Sequence, residues 1–170
     1  MNDTDADANK ALVLEAFDAL FNQRDYAAAA RFWSPDYIQH SAHIAPGRDG
    51  LFDLIRAAPD ELRYEYQLAV AEGDYVLLHG RFRNTGLPVD WIVVDVVRVE
   101  NGMLAEHWDV IQDEATWSQS QSGLPMFGHI FPAEPAVDDH VVGADEPESS
   151  LMQAFVAYLR ARPQTTNAAG

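Results

Sequence analysis

Two groups of residues in this sequence could carry acid–base chemistry. Asp95 lies inside an apolar run at residues 91–97, and His107 follows in the next apolar stretch. The second group is His40 with His43. Carboxylates and imidazoles accept and donate protons near neutral pH, so both groups are typical of general acid–base catalysis. The chain contains no cysteine, which excludes a thiol nucleophile and a thiolate metal site.

Asp95 is the most informative of these residues, because a buried carboxylate without a partner is costly. The turn at residues 100–102 decides its partner. A two-residue Asn-Gly turn sets Asp95 opposite Trp108, whereas a three-residue turn with Gly102 in the left-handed conformation sets it opposite His107. We prefer the three-residue turn, since it gathers the polar side chains of the hairpin on one face.

The residue types leave some alternatives open. His107 and Asp109 could line the solvent side of an open sheet, and His40 could be polar loop surface. If Asp95 faces His107, the two could form an ion pair, or Asp95 could be a neutral acid that donates a hydrogen bond.

The elements that must position these residues are three helices followed by an antiparallel meander. Helical spacing predicts helices over residues 9–23, 26–33 (capped by Asp25) and 47–56. Alternation predicts strands from Leu62, with Leu62, Tyr64, Tyr66, Leu68 and Val70 on one face, and then over 75–83, 89–99 and 103–112. Helices on one face of a curved sheet give an α+β cone with a pocket at its mouth.

A length of 170 residues, 48% of them hydrophobic, suits one domain. We predict that this domain spans 9–117, after a disordered acidic start at 1–8. An extended loop at 118–148 follows, then a C-terminal helix at 149–163 and a disordered tail at 164–170. The apolar part of the loop could close the cone's mouth or contact a partner subunit.

The charge of the chain limits its partners. A formal net charge of −16 repels phosphate backbones and anionic membranes, so nucleic acid and membrane partners are not expected. The start has neither a basic nor an apolar segment of the kind found in signal peptides, which predicts a cytoplasmic protein.

Three pieces of the sequence resemble SnoaL-like proteins, a branch of the nuclear transport factor 2-like superfamily. They are Phe-Asn-Gln-Arg-Asp-Tyr at 21–26, Tyr-Ile-Gln-His at 37–40, and Val-Asp-Val-Val-Arg-Val-Glu-Asn-Gly-Met-Leu-Ala-Glu-His-Trp-Asp-Val-Ile-Gln at 94–112. The resemblance implies the cone fold and a homodimer. It also implies chemistry of the polyketide-cyclase or aldol-condensation kind.

The same superfamily contains the ketosteroid isomerases, and the resemblance to them assigns roles. His40 falls where those isomerases have their catalytic base, and Asp95 falls where they have a protonated aspartic acid that donates to an enolate oxygen. Phe17 stands where they have an oxyanion tyrosine, so steroid isomerisation itself is not expected.

The sequence therefore predicts an acid–base enzyme for a small apolar, enolisable carbonyl compound, acting by isomerisation, cyclisation or aldol-type chemistry. The predicted catalytic residues are His40, Asp95, His107 and Asp109. The predicted substrate-binding residues are Phe17, Trp33, Tyr37, His43, Trp91 and Phe127. Neither cofactor nor metal is expected. The alternatives are a non-catalytic small-molecule binder, a hydrolase, or a metal-dependent enzyme that uses His40, His43 and His107 with one aspartate.

Overall fold

Helices and strands are arranged in the order that positions the polar residues of the hairpin. The structure is a computed structural model, and it describes residues 3–134. The helices are α1 (Asp3–Phe17), α2 (Tyr26–Ala29) and α3 (Gly47–Ala57), and a π-helical turn (Asp18–Asn22) continues α1. The strands are β1 (Trp33–Gln39), β2 (Arg63–Glu72), β3 (Tyr75–Arg83), β4 (Trp91–Glu100) and β5 (Met103–Asp113).

The five strands form one curved, unclosed sheet in the order β1-β5-β4-β3-β2. Strands β2 to β5 pair antiparallel, and β1 pairs parallel with β5. Helix α1 packs on β2 and β3, and α3 packs on β1. We call the helix-covered side the inner face and the other side the outer face. This arrangement confirms the predicted α+β cone.

The core lies between the helices and the inner face. Apolar side chains of α1 meet alternate residues of the strands, because successive strand residues point to opposite faces. The buried members include Val13, Phe17, Leu20, Leu51, Phe52, Val76, Leu78, Val93, Val97 and Leu104.

Two helix boundaries differ from those predicted. Helix α1 begins at Asp3, so residues 3–8 are helical where a disordered start was predicted. Asp5 and Asp7 favour this longer helix, because negative charge near a helix N-terminus is stabilising. Asp25 caps α2 as predicted, through a 2.9 Å hydrogen bond from the Ala28 N–H, but α2 ends at Ala29 and Trp33 begins β1.

The single face predicted along β2 is interrupted. The pairing with β3 shifts between Tyr66 and Leu68, where an extra residue forms a β-bulge. Beyond the bulge the alternation reverses, so Leu68 and Val70 lie on the outer face and are half exposed, whereas Tyr64 is buried on the inner face.

The preferred register of the β4–β5 hairpin is wrong. Glu100 pairs with Met103 across a two-residue turn, whose central residues have the positive φ angles of 52° and 71° that an Asn-Gly turn adopts readily. A bulge then shifts the pairing by one residue at Ala105, so Asp95 lies opposite Asp109. Neither turn considered from the sequence predicts this pairing, because a bulge arises from the pairing between two strands and not from the residue pattern of one strand.

The segment after β5 runs over the sheet rather than over the inner polar residues. Phe127 is buried there, with its ring 4.5 Å from the Arg81 guanidinium and 5.8 Å from the His79 ring, both on the outer face of β3. The predicted helix at 149–163, the tail at 164–170 and residues 135–148 of the predicted loop lie outside the described residues. Within residues 3–134, no helix is long and apolar enough to cross a membrane.

Candidate active site

A hydrogen-bonded chain of polar side chains lies inside the otherwise apolar core. The His107 Nε2 atom is 3.0 Å from Asp95 Oδ1, and the Tyr64 hydroxyl donates to Asp95 Oδ2 at 2.9 Å. Asp95 is 3% exposed and His107 is 6% exposed. His107 lies opposite Val97, two residues along β4 from Asp95, so the two side chains share the inner face and meet diagonally.

Gln39 fixes the orientation of the imidazole. Its Oε1 atom accepts the Ser41 backbone N–H at 3.0 Å and lies 2.9 Å from His107 Nδ1. Because this oxygen can only accept, His107 Nδ1 carries a hydrogen. His107 Nε2 and Asp95 Oδ1 therefore share one further proton, held either as an imidazolium beside a carboxylate or as a carboxylic acid beside a neutral imidazole.

Two buried tyrosines border this pair. Burial, followed by the negative charge of Asp95, raises the pKa of Tyr64 above its ordinary value of 10.0. Burial also raises the pKa of Tyr37, with smaller contributions from Asp95 and Asp109, while the Trp33 indole acts in the opposite direction. Both hydroxyls therefore keep their protons at neutral pH and can donate hydrogen bonds.

The expectation that His40 joins Asp95 and His107 is wrong. Gln39 pairs with His107 across β1 and β5 on the inner face, so its neighbour His40 points to the outer face. There the His40 Nε2 atom lies 2.8 Å from Glu106 Oε1, and its ring stacks on Trp108 at 4.7 Å. Alternation along β1 thus assigns the inner position to the amide and the outer one to the imidazole.

The other predicted site residues divide in the same way. Asp109 lies on the inner face opposite Asp95 and is partly exposed. Phe17, Trp33, Tyr37 and Trp91 are buried, and the ring of Phe17 stacks on that of Trp33 at 6.4 Å. His43 is exposed in the turn after β1, and Phe127 lies on the outer face. The predicted roles of His43 and Phe127 in an inner pocket are therefore not supported by their positions.

A cavity of about 250 Å³ adjoins this cluster, although neither Asp95 nor His107 lines it. It lies between α1 and the edge strand β2, and its walls are Leu14, Phe17, Asp18, Asn22, Tyr64, Glu65 and Tyr66. Tyr64 belongs to both features, since its ring lines the cavity and its hydroxyl contacts Asp95. Within residues 3–134, no three histidine, aspartate or glutamate side chains are grouped so as to hold a metal ion.

Sequence reasoning missed Tyr64 and Gln39. A signal for Gln39 was present, because alternation in residues 37–40 places it on the same face as the buried Tyr37 and places His40 on the other. Tyr64 follows the buried Leu62 at a spacing of two, which indicates its inner position. Its contact with a residue on β4 could not be read from that spacing.

The fold is shared with several solved structures. AclR, a proposed hydroxylase from Streptomyces galilaeus, is 30% identical and matches with a TM-score of 0.52 over 63% of this chain and 90% of AclR. A proposed ketosteroid isomerase from Kribbella flavida matches at 16% identity and a TM-score of 0.57, over 85% and 94% of the two chains. IdmH, a proposed polyketide cyclase from Streptomyces antibioticus, matches at 20% identity and a TM-score of 0.50, over 61% and 91%.

Similarity of sequence identifies the family. Among curated proteins, none matches this sequence significantly. The sequence model described as the SnoaL-like domain matches residues 13–107, which extend from α1 to His107 and include every member of the inner hydrogen-bonded chain. Since this match covers more than half of the chain, and the fold is shared with the solved structures named above, the protein belongs to the SnoaL-like family.

Proposed function

We propose that this protein is an enzyme that performs general acid–base chemistry on a small, apolar, enolisable carbonyl compound of the polyketide kind. The observation that supports it is the buried chain Tyr64–Asp95–His107–Gln39, in which a carboxylate and an imidazole lie within hydrogen-bonding distance of each other. Buried polar groups are costly unless they are paired, so a carboxylate and an imidazole kept together inside an apolar core suggest a function. The description of IdmH as a proposed polyketide cyclase is compatible with this class of substrate.

In the proposed reaction, Asp95 is the group that exchanges a proton with the substrate. When the shared proton rests on His107, the Asp95 carboxylate accepts a proton from the carbon next to the carbonyl, and the C–H electron pair moves into an enolate. The Tyr64 hydroxyl, which donates to Asp95 Oδ2 before the reaction, would turn to donate to the enolate oxygen once Asp95 is protonated. Return of the proton to another carbon gives isomerisation, and attack of the enolate carbon on a second carbonyl gives cyclisation or an aldol product.

The remaining predicted residues support this pair in the proposal. Gln39 holds the His107 ring in one orientation, and Asp109 lies opposite Asp95 on the inner face. The apolar body of the substrate would lie in the cavity lined by Phe17 and Tyr64.

A non-catalytic small-molecule binder is the alternative, and one observation favours it. The cavity reaches Tyr64 but not Asp95 or His107, which are almost fully buried. A satisfied polar network of this kind can serve only to specify the packing of a core. In that case the cavity would bind an apolar ligand without changing it.

We also propose that two copies associate through the outer face. Six large apolar side chains are exposed on it, and Val110 is the most exposed at 72%. Exposed apolar side chains gathered on one face of a sheet are typical of a protein interface. The six are Ile38, Leu68, Val70, Tyr75, Leu77 and Val110.

Exchange of carbon-bound hydrogen for deuterium tests the enzyme proposal before the product is known. Enolisable 1,3-diketones and β-keto esters are incubated with the protein in D₂O, and loss of the proton signal next to the carbonyl is followed by NMR. We expect catalysed exchange with the parent protein and a decrease of about 100-fold with Asp95→Asn, which matches the usual contribution of a general base.

Glu114→Gln is the matched control, because Glu114 is also a buried carboxylate but pairs with Arg81 on the outer side of β3. It should retain exchange within about twofold. His40→Ala should lose less activity than Asp95→Asn, and the reverse order would restore the assignment made from the sequence. Ligand binding to the parent protein without exchange would support the binder instead.

A further inference from the structure

Asn22, the last residue of the π-helical turn, is hydrogen-bonded to the backbone of Tyr64. The π-helical turn presents its side-chain amide to the edge strand β2, where Asn22 Nδ2 donates to the Tyr64 carbonyl at 3.1 Å and the Tyr64 N–H donates to Asn22 Oδ1 at 2.9 Å. Both backbone groups of one residue are therefore held by one side chain. Two such bonds define position as well as orientation.

This contact replaces a neighbouring strand. Strand β2 lies at the sheet edge, so the backbone groups of Tyr64 that point away from β3 have no strand to pair with. The bulge between Tyr66 and Leu68 also separates this end of β2 from the regular pairing beyond it. The position of Tyr64 along the sheet therefore depends on Asn22 more than it would in a central strand.

The position of the Tyr64 backbone decides where its hydroxyl lies. The ring is enclosed by the rings of Phe17, Phe21 and Phe82 at centroid distances of 5.1, 5.7 and 4.9 Å, and it covers Gly80. Enclosed in this way, the ring transmits a backbone displacement to its far end. The hydroxyl is the atom that contacts Asp95.

We propose that Asn22 is a positioning residue, which holds the Tyr64 hydroxyl on Asp95 by clamping the Tyr64 backbone. It acts through Tyr64 and does not itself contact Asp95. Its effect on turnover rests on the proposed function, whereas its effect on the geometry of the pair does not. Asn22 and Tyr64 also line the same cavity, so a molecule bound there would contact both residues.

NMR of the imidazole and phenol groups tests this role without a substrate. His107 is observed through its ring ¹⁵N signals and Tyr64 through its ζ-carbon, in protein labelled at histidine and tyrosine. Tyr64→Phe defines the change in the His107 signals that follows loss of the hydroxyl. Asn22→Ala should move the His107 signals in the same direction and should shift the Tyr64 signal.

Asn9→Ala is the matched control. Asn9 lies on the same helix and donates one side-chain hydrogen bond, at 3.0 Å, to the Gly73 carbonyl in the β2–β3 turn. It should lower stability without moving the His107 signals. If Asn22→Ala does not fold, Asn22→Asp preserves the acceptor for the Tyr64 N–H and removes the donor, and a smaller shift in the same direction is expected.

The two proposals fail separately. Unchanged His107 and Tyr64 signals in a folded Asn22 variant would overturn the positioning role, even if the parent protein catalyses exchange. Shifted His107 and Tyr64 signals in the Asn22 variant, without catalysed exchange in the parent protein, would support the positioning role and contradict the enzyme proposal. If both hold, Asn22→Ala should lower the maximal exchange rate on the order of tenfold with little change in KM, because a small displacement of a catalytic group mainly affects the reacting geometry.

Discussion

A single step along β1 decides which side chain meets His107. Tyr37 and Gln39 point inward, whereas Ile38 and His40 point outward. The imidazole of His40 is thereby removed from the inner face and paired with Glu106. The buried Asp95–His107 pair then consists of residues from two adjacent strands of one hairpin, and Tyr64 from a third strand contacts it.

The raised pKa of Tyr64 predicts a loss of stability in alkali. Above pH 10.0 the tyrosines of the unfolded chain lose protons, while folded Tyr64 keeps its proton until a higher pH. The unfolded state then binds fewer protons, so the free energy of unfolding falls as pH rises through this window. Tyr64→Phe should reduce the slope by about 1.4 kcal/mol per pH unit.

Urea unfolding at a series of alkaline pH values measures this slope. Tyr64→Phe should also cost about 1 kcal/mol at neutral pH, because Asp95 Oδ2 loses its donor. Identical alkaline slopes in the variant and the parent protein would show that the hydroxyl is not held in its protonated form by the fold.

At the scale of elements, the approach of β2 to β3 depends on a residue without a side chain. Gly80 lies beneath the Tyr64 ring, and a Cβ atom at this position would overlap the ring and its hydroxyl. Tyr64 pairs with Phe82, so the ring leans along the neighbouring strand over Gly80. The small residue makes room for the hydroxyl to reach Asp95.

Gly80→Ala should therefore destabilise the protein by about 1–3 kcal/mol, the usual cost of overpacking. A double-mutant cycle with Tyr64→Leu identifies the cause, since the shorter side chain removes the overlap. Most of the cost of Gly80→Ala should disappear in the Tyr64→Leu background, as measured by urea unfolding. An equal cost in both backgrounds would place its origin in the backbone of β3 instead.

At the scale of the whole molecule, the two faces of the sheet have different properties. The inner face carries the core and the buried polar chain, whereas the outer face carries exposed apolar side chains together with the ion pairs of Arg98 and Arg81. The segment containing Phe127 covers only the part near Arg81 and His79. The exposed remainder is the surface proposed to join two copies.

Val110→Glu tests this association, because a charge inside an apolar interface loses its hydration without a partner. Sedimentation equilibrium should show a dimer for the parent protein and at least about a tenfold rise in the dissociation constant for the variant. Leu124→Glu is the control, since Leu124 is 68% exposed, close to the 72% of Val110, but lies in the segment after β5. A monomeric parent protein, or equal effects of both substitutions, would contradict the proposed interface.

The sequence by itself determined the class of fold and predicted that Asp95 has partners. Helical and alternating periods depend on local geometry, so they predicted the bounds of β3 and the existence of α1 and α3. The cost of burying a carboxylate singled out Asp95 in an apolar strand, and Asp95 does have buried partners. The resemblance to SnoaL-like proteins likewise depended on contiguous residues.

Only the tertiary structure decided which residues surround Asp95. The bulges in β2 and β5 each change the face of every later residue, and bulges arise from pairing between strands rather than from local preference. Tyr64 is 31 residues from Asp95, and Gln39 is 68 from His107. Contacts over such separations follow from how the sheet curves around α1, which alternation within one strand does not specify.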